Sequence, residues 1–255
     1  MTNFTKLKDI STELRKELIL LHSKSKMAHI GSDFSCLDIL ISLYFDVMRE
    51  EDHFILSKGH AALGLYSVLH KKGIISYKVY STFGTNGSIL GEHPIVGLKG
   101  IEVATGSLGH GLSIGGGMAL SNHIDGKSGK IYVVLSDGEC QEGSTLEAMN
   151  FIGRLKLSNI TAIIDSNKWQ AYDRTLITPD KLKGEFFSAG WKVLTIDGHN
   201  YVKLHKTLLS KSDTPILIIA NTILGKGVKQ IEDKLEAHYI PPKPDQIDEF
   251  IAGIE

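Results

Sequence analysis

Two short polar runs carry most of the chemistry that this chain could do. Ser136-Asp137-Gly138 follows the apolar, β-branched run 131–135, and Asp165-Ser166-Asn167 follows a similar run, 160–164. Runs of this kind stop where a buried parallel strand reaches the carboxyl edge of its sheet. Between them, residues 142–157 place Leu146, Met149, Phe151, Ile152 and Leu155 at spacings that give a helix one apolar face. A strand, a crossover helix and a second parallel strand form a right-handed unit, so both strands end at the same edge. Asp137 and Asn167, 30 positions apart, are therefore expected near each other. One carboxylate, one side-chain amide and nearby backbone carbonyls are hard oxygen ligands suited to Mg²⁺ or Ca²⁺, with coordination positions left for phosphate oxygens. Gly138 allows a tight turn and brings its amide close to an anion, at an edge where the next helix presents its N-terminus. The unit reads as a metal-diphosphate clamp. An Asp-Gly turn or a loop Asn alone is ordinary turn chemistry, and it is the combination that carries weight.

The elements that must position this clamp follow from periodicity. Leu7, Ile10, Leu14, Leu18 and Leu21 stripe an opening helix over 7–21, and a polar loop over 25–32 then carries His29. A strongly apolar helix is expected over 37–48 and a brief strand over 54–56, leading into Ser57-Lys58-Gly59-His60-Ala61-Ala62 and a helix over 63–70. The glycine-rich run 105–113 opens a helix over 112–123. Beyond the central unit come a helix over 182–189, a strand over 191–196, a turn in which His199 reads as a turn residue, a helix over 202–209 and a strand over 215–220. Glycines flanking Lys226 imply mobility, with 230–239 as a lid and about 225–244 as a flexible closing segment. Pro241-Pro242-Lys243-Pro244 reads as a stiff linker, after which Asp245 is expected to cap a final helix. The fold class is α/β, a parallel sheet flanked by helices on both faces, with 1–255 as a single domain.

Composition excludes several classes of function. With 28 basic and 29 acidic residues the formal net charge is −1, which offers no broad field for nucleic acid or an anionic membrane. The only two cysteines, Cys36 and Cys140, lie far apart and lack metal-ligand spacing, as suits a reducing cytoplasm. Cys140 lies close to the clamp and reads as a small residue in a tight loop. No signal-peptide pattern opens the chain and no stretch approaches a membrane span, so the expectation is a soluble, cytoplasmic protein.

The run Asp137-Gly138-x-x-x-Glu142-Gly143-x-x-x-Glu147-Ala148, followed by Leu157-x-Asn159-Ile160 and Asp165-x-Asn167, resembles the thiamine-diphosphate motif in its transketolase version. Ser136 stands where that motif begins with Gly. The likeness extends from about Leu14 to His238 and to the N-terminal, diphosphate-binding half of transketolases, giving a thiamine-diphosphate-binding fold. Ser57-Lys58-Gly59-His60-Ala61 and Thr105-Gly106-Ser107-Leu108-Gly109 match family segments, as does the Lys-flanking run 221–228. His29 aligns with an active-site His between Ala28 and Ile30, where the family has Gly and Pro. Glu92 stands between Gly91 and His93, an insertion that would displace His93. His110 replaces a Gln, and Tyr239 replaces the Gly that usually follows the closing-loop His, here His238.

The resemblance implies a small subunit of a split transketolase, active only with a C-terminal partner that carries the pyrimidine-binding domain and its cofactor-activating Glu, as an α2β2 heterotetramer. The reaction implied is transfer of a two-carbon ketol unit from a ketose to an aldose, phosphorylated or not. Asp137, Asn167 and the Trp169 carbonyl would hold Mg²⁺ or Ca²⁺. Gly138, His60 and the closing-loop His238 would contact the diphosphate, Gly106 and Leu108 would border the cofactor, and Glu142, counted in the cofactor-binding set, would sit toward the subunit interface, as would Glu147. His29 and His93 would face substrate or relay protons, and His238 would help close the site. Two other readings stay open: another thiamine-diphosphate carboligase or 2-oxo-acid enzyme subunit, and a non-catalytic cofactor-binding scaffold.

Overall fold

The computed structural model describes residues 2–254. The central sheet is built from β1 (His53–Leu56), β2 (Ile131–Ser136), β3 (Ile160–Ser166), β6 (Lys192–Asp197) and β7 (Ile216–Asn221), in the order β1-β2-β3-β7-β6 with every pair parallel. A small antiparallel hairpin, β4 (Trp169–Gln170) and β5 (Asp173–Arg174), stands apart from it. The helices are α1 (Phe4–Ser25), α2 (Ile30–Ser42), α3 (Ala62–Lys71), α4 (Tyr77–Tyr80), α5 (His110–Ile124), α6 (Gly143–Arg154), α7 (Pro179–Ser188), α8 (Tyr201–Leu208), α9 (Glu236–Tyr239) and α10 (Ile247–Ala252).

Strand alternation sorts the core into two layers. Tyr132, Val134, Ile163, Ile216 and Ile218 point to the face packed by α1, α2, α3 and α8. Their neighbours Val133, Leu135, Ala162, Ile164, Leu217 and Ile219 point to the face packed by α5, α6 and α7. Both faces are dry, which is why these strands read as continuous apolar runs. Each fully buried Leu or Ile contributes roughly 1.5–3 kcal/mol of transfer free energy.

Several expectations shift. The second helix begins at Ile30, not Leu37, and continues past Ser42 as a π-helical turn, Leu43–Val47. All 13 residues of α2 are buried, Ser32, Asp33 and Ser35 included. Their polarity mimics a loop, yet the Asp33 and Ser35 side chains have partners inside the protein and the Ser32 carbonyl accepts a hydrogen bond from the Lys58 ammonium. Strand β3 runs on through Asp165 and Ser166, because both are buried and paired against β7. Asp245 does not cap the last helix: it lies in a 3₁₀ turn, Pro244–Gln246, and Gln246 occupies the cap position. Among the described residues no helix is long and apolar enough to cross a membrane.

Candidate active site

The floor of the site is the carboxyl edge of β2 and β3. Their register pairs Ser136 with Asp165, so the turns that follow meet. Asp137, 1% exposed, accepts the Lys168 backbone N–H on Oδ2 at 2.6 Å and the Gly138 N–H on Oδ1 at 2.9 Å. Burial, with Asp165 nearby, pushes its carboxyl up to about 7 against those two hydrogen bonds. The nearby Lys58 ammonium offsets this only in part, and a cation bound against the carboxylate would favour its charged form. Asn167 donates from Nδ2 to Ser35 Oγ at 3.2 Å and to Asp165 Oδ2 at 3.3 Å, and accepts the Trp169 N–H on Oδ1 at 2.9 Å. Those donations fix which end of the amide is oxygen, and that oxygen keeps a second lone pair. Among the described residues no group of three or more His, Cys, Asp or Glu could hold a metal. An ion here would rest on a mixed oxygen set with Asp137 as its charged member, a set that fits Mg²⁺ or Ca²⁺.

Beneath the floor lies an ion pair that sequence reasoning missed. Lys58 and Asp165, both 0% exposed, are in direct contact. Burial opposes the Lys58 charge, but the adjacent Asp165 more than restores it and pushes the ammonium pKa up. Asp165 also accepts Ser35 Oγ at 2.5 Å and the Thr222 hydroxyl, so α2, the turn after β1, the turn after β3 and the end of β7 converge on one side chain. Glu139 was missed too. Its Oε1 accepts Ser57 Oγ and, at 2.8 Å, the Gly109 N–H, and its Oε2 accepts the Ser136 N–H at 3.2 Å. Desolvation raises its pKa, and the role is to tie the glycine-rich turn to the clamp. Gly109 (φ 86°) caps α5 there, in a conformation that favours glycine.

Above the floor, three imidazoles share one space. The His29 ring centroid lies 5.3 Å from that of His60 and 5.2 Å from that of His238, and His60 lies 5.9 Å from His238. Burial lowers all three pKa values, that of His60 well below its ordinary value and that of His238 to about 4, and charge on His29 further opposes charge on the other two rings. They are neutral near pH 7, and the Nδ1 atoms of His29 and His238 are buried without a hydrogen-bond partner. His29 holds φ 76°, and its N–H donates to the His238 carbonyl at 2.9 Å, joining the first loop to the closing segment. Behind it His22 faces two acceptors, the Met27 carbonyl at 3.0 Å and Asp33 Oδ2 at 2.7 Å, and Asp33 Oδ1 accepts the Gly64 N–H at 2.8 Å. That chain of bonds fixes the loop bearing His29 against the helix that follows His60.

A cleft of about 580 Å³ opens over this floor, lined by His29, His60, His93, Gly106, Leu108, Gly138, Glu142, Asn167, Trp169 and His238. His93 is not displaced from the site, and the inserted Glu92 turns toward His29, its Oε1 3.6 Å from Nδ1 and beyond hydrogen-bond reach. Asp137 lies just behind the cleft wall. Two expectations need correction. The Gly138 N–H is bonded to Asp137 and does not face the cleft as an anion donor; its missing side chain instead leaves room for Gln170, whose Cβ would lie 3.1 Å from an added Cβ. His199 is more than a turn residue: its Nδ1 donates to Asp38 Oδ2 at 2.8 Å and its Nε2 accepts the Ile223 N–H at 3.0 Å, anchoring the start of the closing segment. Glu142 and Glu147 are exposed, Glu142 at the rim and Glu147 on α6. His110 is exposed at the start of α5.

The rim is a latch between the hairpin and the closing segment. Asp233 (φ 55°) accepts Trp169 Nε1 at 2.9 Å and both guanidinium nitrogens of Arg174, at 2.6 and 2.9 Å, while that guanidinium lies 3.9 Å from the Trp169 ring centroid. Arg174, Trp169 and Asp233 thus hold the expected lid down in the conformation described.

A family model described as the transketolase thiamine diphosphate binding domain matches residues 23–252. One of the subunits of the apulose-4-phosphate transketolase of Phocaeicola vulgatus is 40% identical, over 96% of this chain and 92% of its own length. The 6-deoxy-6-sulfo-D-fructose transketolase subunit SqwG of a Clostridium species is 34% identical, over 88% of this chain and 87% of its own. Among solved structures, transketolase from Campylobacter jejuni superposes with a TM-score of 0.88 at 31% identity, covering 94% of this chain and 41% of that longer one. A sheet-edge Asp and Asn, a histidine-lined cleft and these full-span likenesses converge: the chain belongs to the transketolase thiamine diphosphate binding domain family.

Proposed function

We propose that this chain is the diphosphate-binding subunit of a transketolase, moving a two-carbon ketol unit from a ketose to an aldose together with a partner chain that carries the pyrimidine-binding domain. The observation that carries the reading is the joint placement of Asp137 and Asn167 under a cleft roofed by neutral imidazoles. Thiamine diphosphate, when bound, supplies an acidic thiazolium carbon and an electron sink for breaking a carbon–carbon bond beside a carbonyl. Asp137, Asn167 and the Trp169 carbonyl would hold Mg²⁺ or Ca²⁺ against the diphosphate, and the cation would compensate a carboxylate that burial otherwise drives toward its protonated form. His60, neutral because burial lowers its pKa, would donate one N–H to a phosphate oxygen. His29 and His238, each with an unpartnered Nδ1, would accept or return hydroxyl protons of the sugar, with His93 alongside. The closing segment, about 225–244, would exclude water.

Both relatives named above are single subunits of transketolases, which supports a partner-dependent enzyme, and we extend this to an α2β2 assembly of cytoplasmic location acting on sugars or sugar phosphates. Residues 1–255 would act as one diphosphate- and metal-binding domain. The test is reconstitution: this chain and the product of an adjacent transketolase-like reading frame are purified separately and mixed with thiamine diphosphate and Mg²⁺. Ketol transfer that appears only in the mixture is the expected result, and robust turnover by the purified single chain refutes the half-site reading. Loss of that activity in Asp137→Ala separates an enzyme from a scaffold.

A further inference from the structure

The mouth of the cleft is bounded by two tyrosines whose rings stack on each other. Tyr172 sits at the tip of the β4–β5 hairpin and Tyr239 closes α9, directly after His238. Their ring centroids are 5.7 Å apart with 20° between planes, and both rings line the same cleft as the imidazoles. The Tyr239 ring lies 4.5 Å from His238 and 6.4 Å from His29. Tyr172 is 81% exposed and Tyr239 36%, so the pair stands at the entrance and does not belong to the core. A carbon chain placed between two aromatic faces needs about 7 Å, twice a normal carbon contact. The observed gap is narrower, so a molecule reaching the imidazoles passes beside the pair or parts it.

Two further observations say what the pair can read. Among the described residues none of those lining the cleft is a lysine or arginine, so this chain offers no fixed cation to a phosphate at that point. The two ring-bearing segments are also joined through Asp233, which holds Trp169 and Arg174 of the hairpin, so the rings are set by their backbones. Flat apolar faces discriminate by bulk and by contact with C–H groups, not by charge.

We propose that Tyr172 and Tyr239 form an aromatic gate that sets which sugar reaches the imidazoles according to the size of its uncharged carbon skeleton, a specificity role that rests on the ketol-transfer reading. The experiment uses the reconstituted two-chain enzyme with thiamine diphosphate, Mg²⁺ and hydroxypyruvate as donor. Two uncharged acceptors, glycolaldehyde and D-erythrose, are compared. In Tyr172→Ala combined with Tyr239→Gly, the ratio of kcat/KM for erythrose over glycolaldehyde rises by about tenfold or more, the low end of what a single apolar contact sets. Tyr172→Phe with Tyr239→Phe keeps the rings and leaves the ratio within about twofold. Tyr172→Ala alone, at an exposed position that folding does not need, moves the ratio in the same direction. An unchanged ratio in the ring-deleted enzymes overturns the gate while leaving ketol transfer intact. Loss of association with the partner chain on gel filtration assigns the rings to the subunit interface and also overturns it. A wild-type mixture that transfers no ketol group sinks the underlying reading, and the gate with it.

Discussion

The floor and the rim of the cleft are held together by different physics. At the floor, Lys58, Asp137, Glu139, Asp165 and Asn167 are all 4% exposed or less, and their polar atoms are bonded mostly to one another or to backbone. At the rim, Arg174 and Asp233 make a bidentate pair with side chains 45% and 55% exposed. Desolvation makes each floor contact hard to lose, because removing one partner strands a buried group. At the rim, water replaces what is lost. The site is thus a rigid anchor for a charged cofactor under a cover that opens at low cost.

Four measurements would break or sharpen that contrast. Lys58→Met strips the buried Asp165 of its cationic partner and should cost about 3–5 kcal/mol in urea unfolding, with part of the loss restored by adding Asp165→Asn. A loss below about 1 kcal/mol would show that the floor is no better anchored than the rim. Asp137→Asn should differ in character: relief of a buried charge is offset by the backbone N–H that the new amide NH2 can no longer accept, so apo stability changes by only about 1–2 kcal/mol, yet Mg²⁺-dependent thiamine diphosphate affinity in calorimetry falls by more than about 100-fold. Unchanged affinity would reject the clamp.

The third measurement concerns His238, which belongs to the cover by sequence and to the floor by burial. Its folded pKa is about 4 against an ordinary 6.5, so between those values the unfolded chain takes up a proton that the folded chain refuses. Its contribution is intact above pH 6.5 and is lost as pH falls toward 4. Relative to His238→Gln, the wild type should lose roughly 2–3 kcal/mol over that window. A flat difference would mean that the ring is hydrated. The smallest effect is expected from Arg174→Ala, under about 1 kcal/mol in stability, with faster cofactor release as its main signature in stopped-flow fluorescence.

The same contrast explains what was legible in the sequence. Strands β2 and β3 follow from continuous apolar runs and helix α6 from its hydrophobic period, although Phe151 and Leu155, counted on its apolar face, are 48% and 43% exposed; with these elements comes the meeting of Asp137 and Asn167. The family likeness pointed to His29, His60, His93, Gly106, Leu108 and His238, all of which line one cleft. Hidden were the residues whose meaning depends on a distant partner. Asp33 and Ser35 fall between the expected loop and the expected helix, and Asp38 on that helix, with nothing local to show that His22, Asp165 and Arg15 are set against them. Lys58 and Glu139 look like surface charges for the same reason. The hairpin over Trp169 and Arg174 has only two residues per strand, too few for a period to register. A lysine inside the Ser57-Lys58-Gly59-His60 run was the one available hint of the buried pair.

Asp165 has a consequence for how such a chain can change over generations. Ser35, Lys58, Asn167 and Thr222 reach it from four separate stretches of sequence, so no single exchange at this acid can be absorbed by one neighbour. Divergence should preserve these five positions as a set or rewrite them together, and pairwise epistasis measured among them should exceed that among any five positions of the cover.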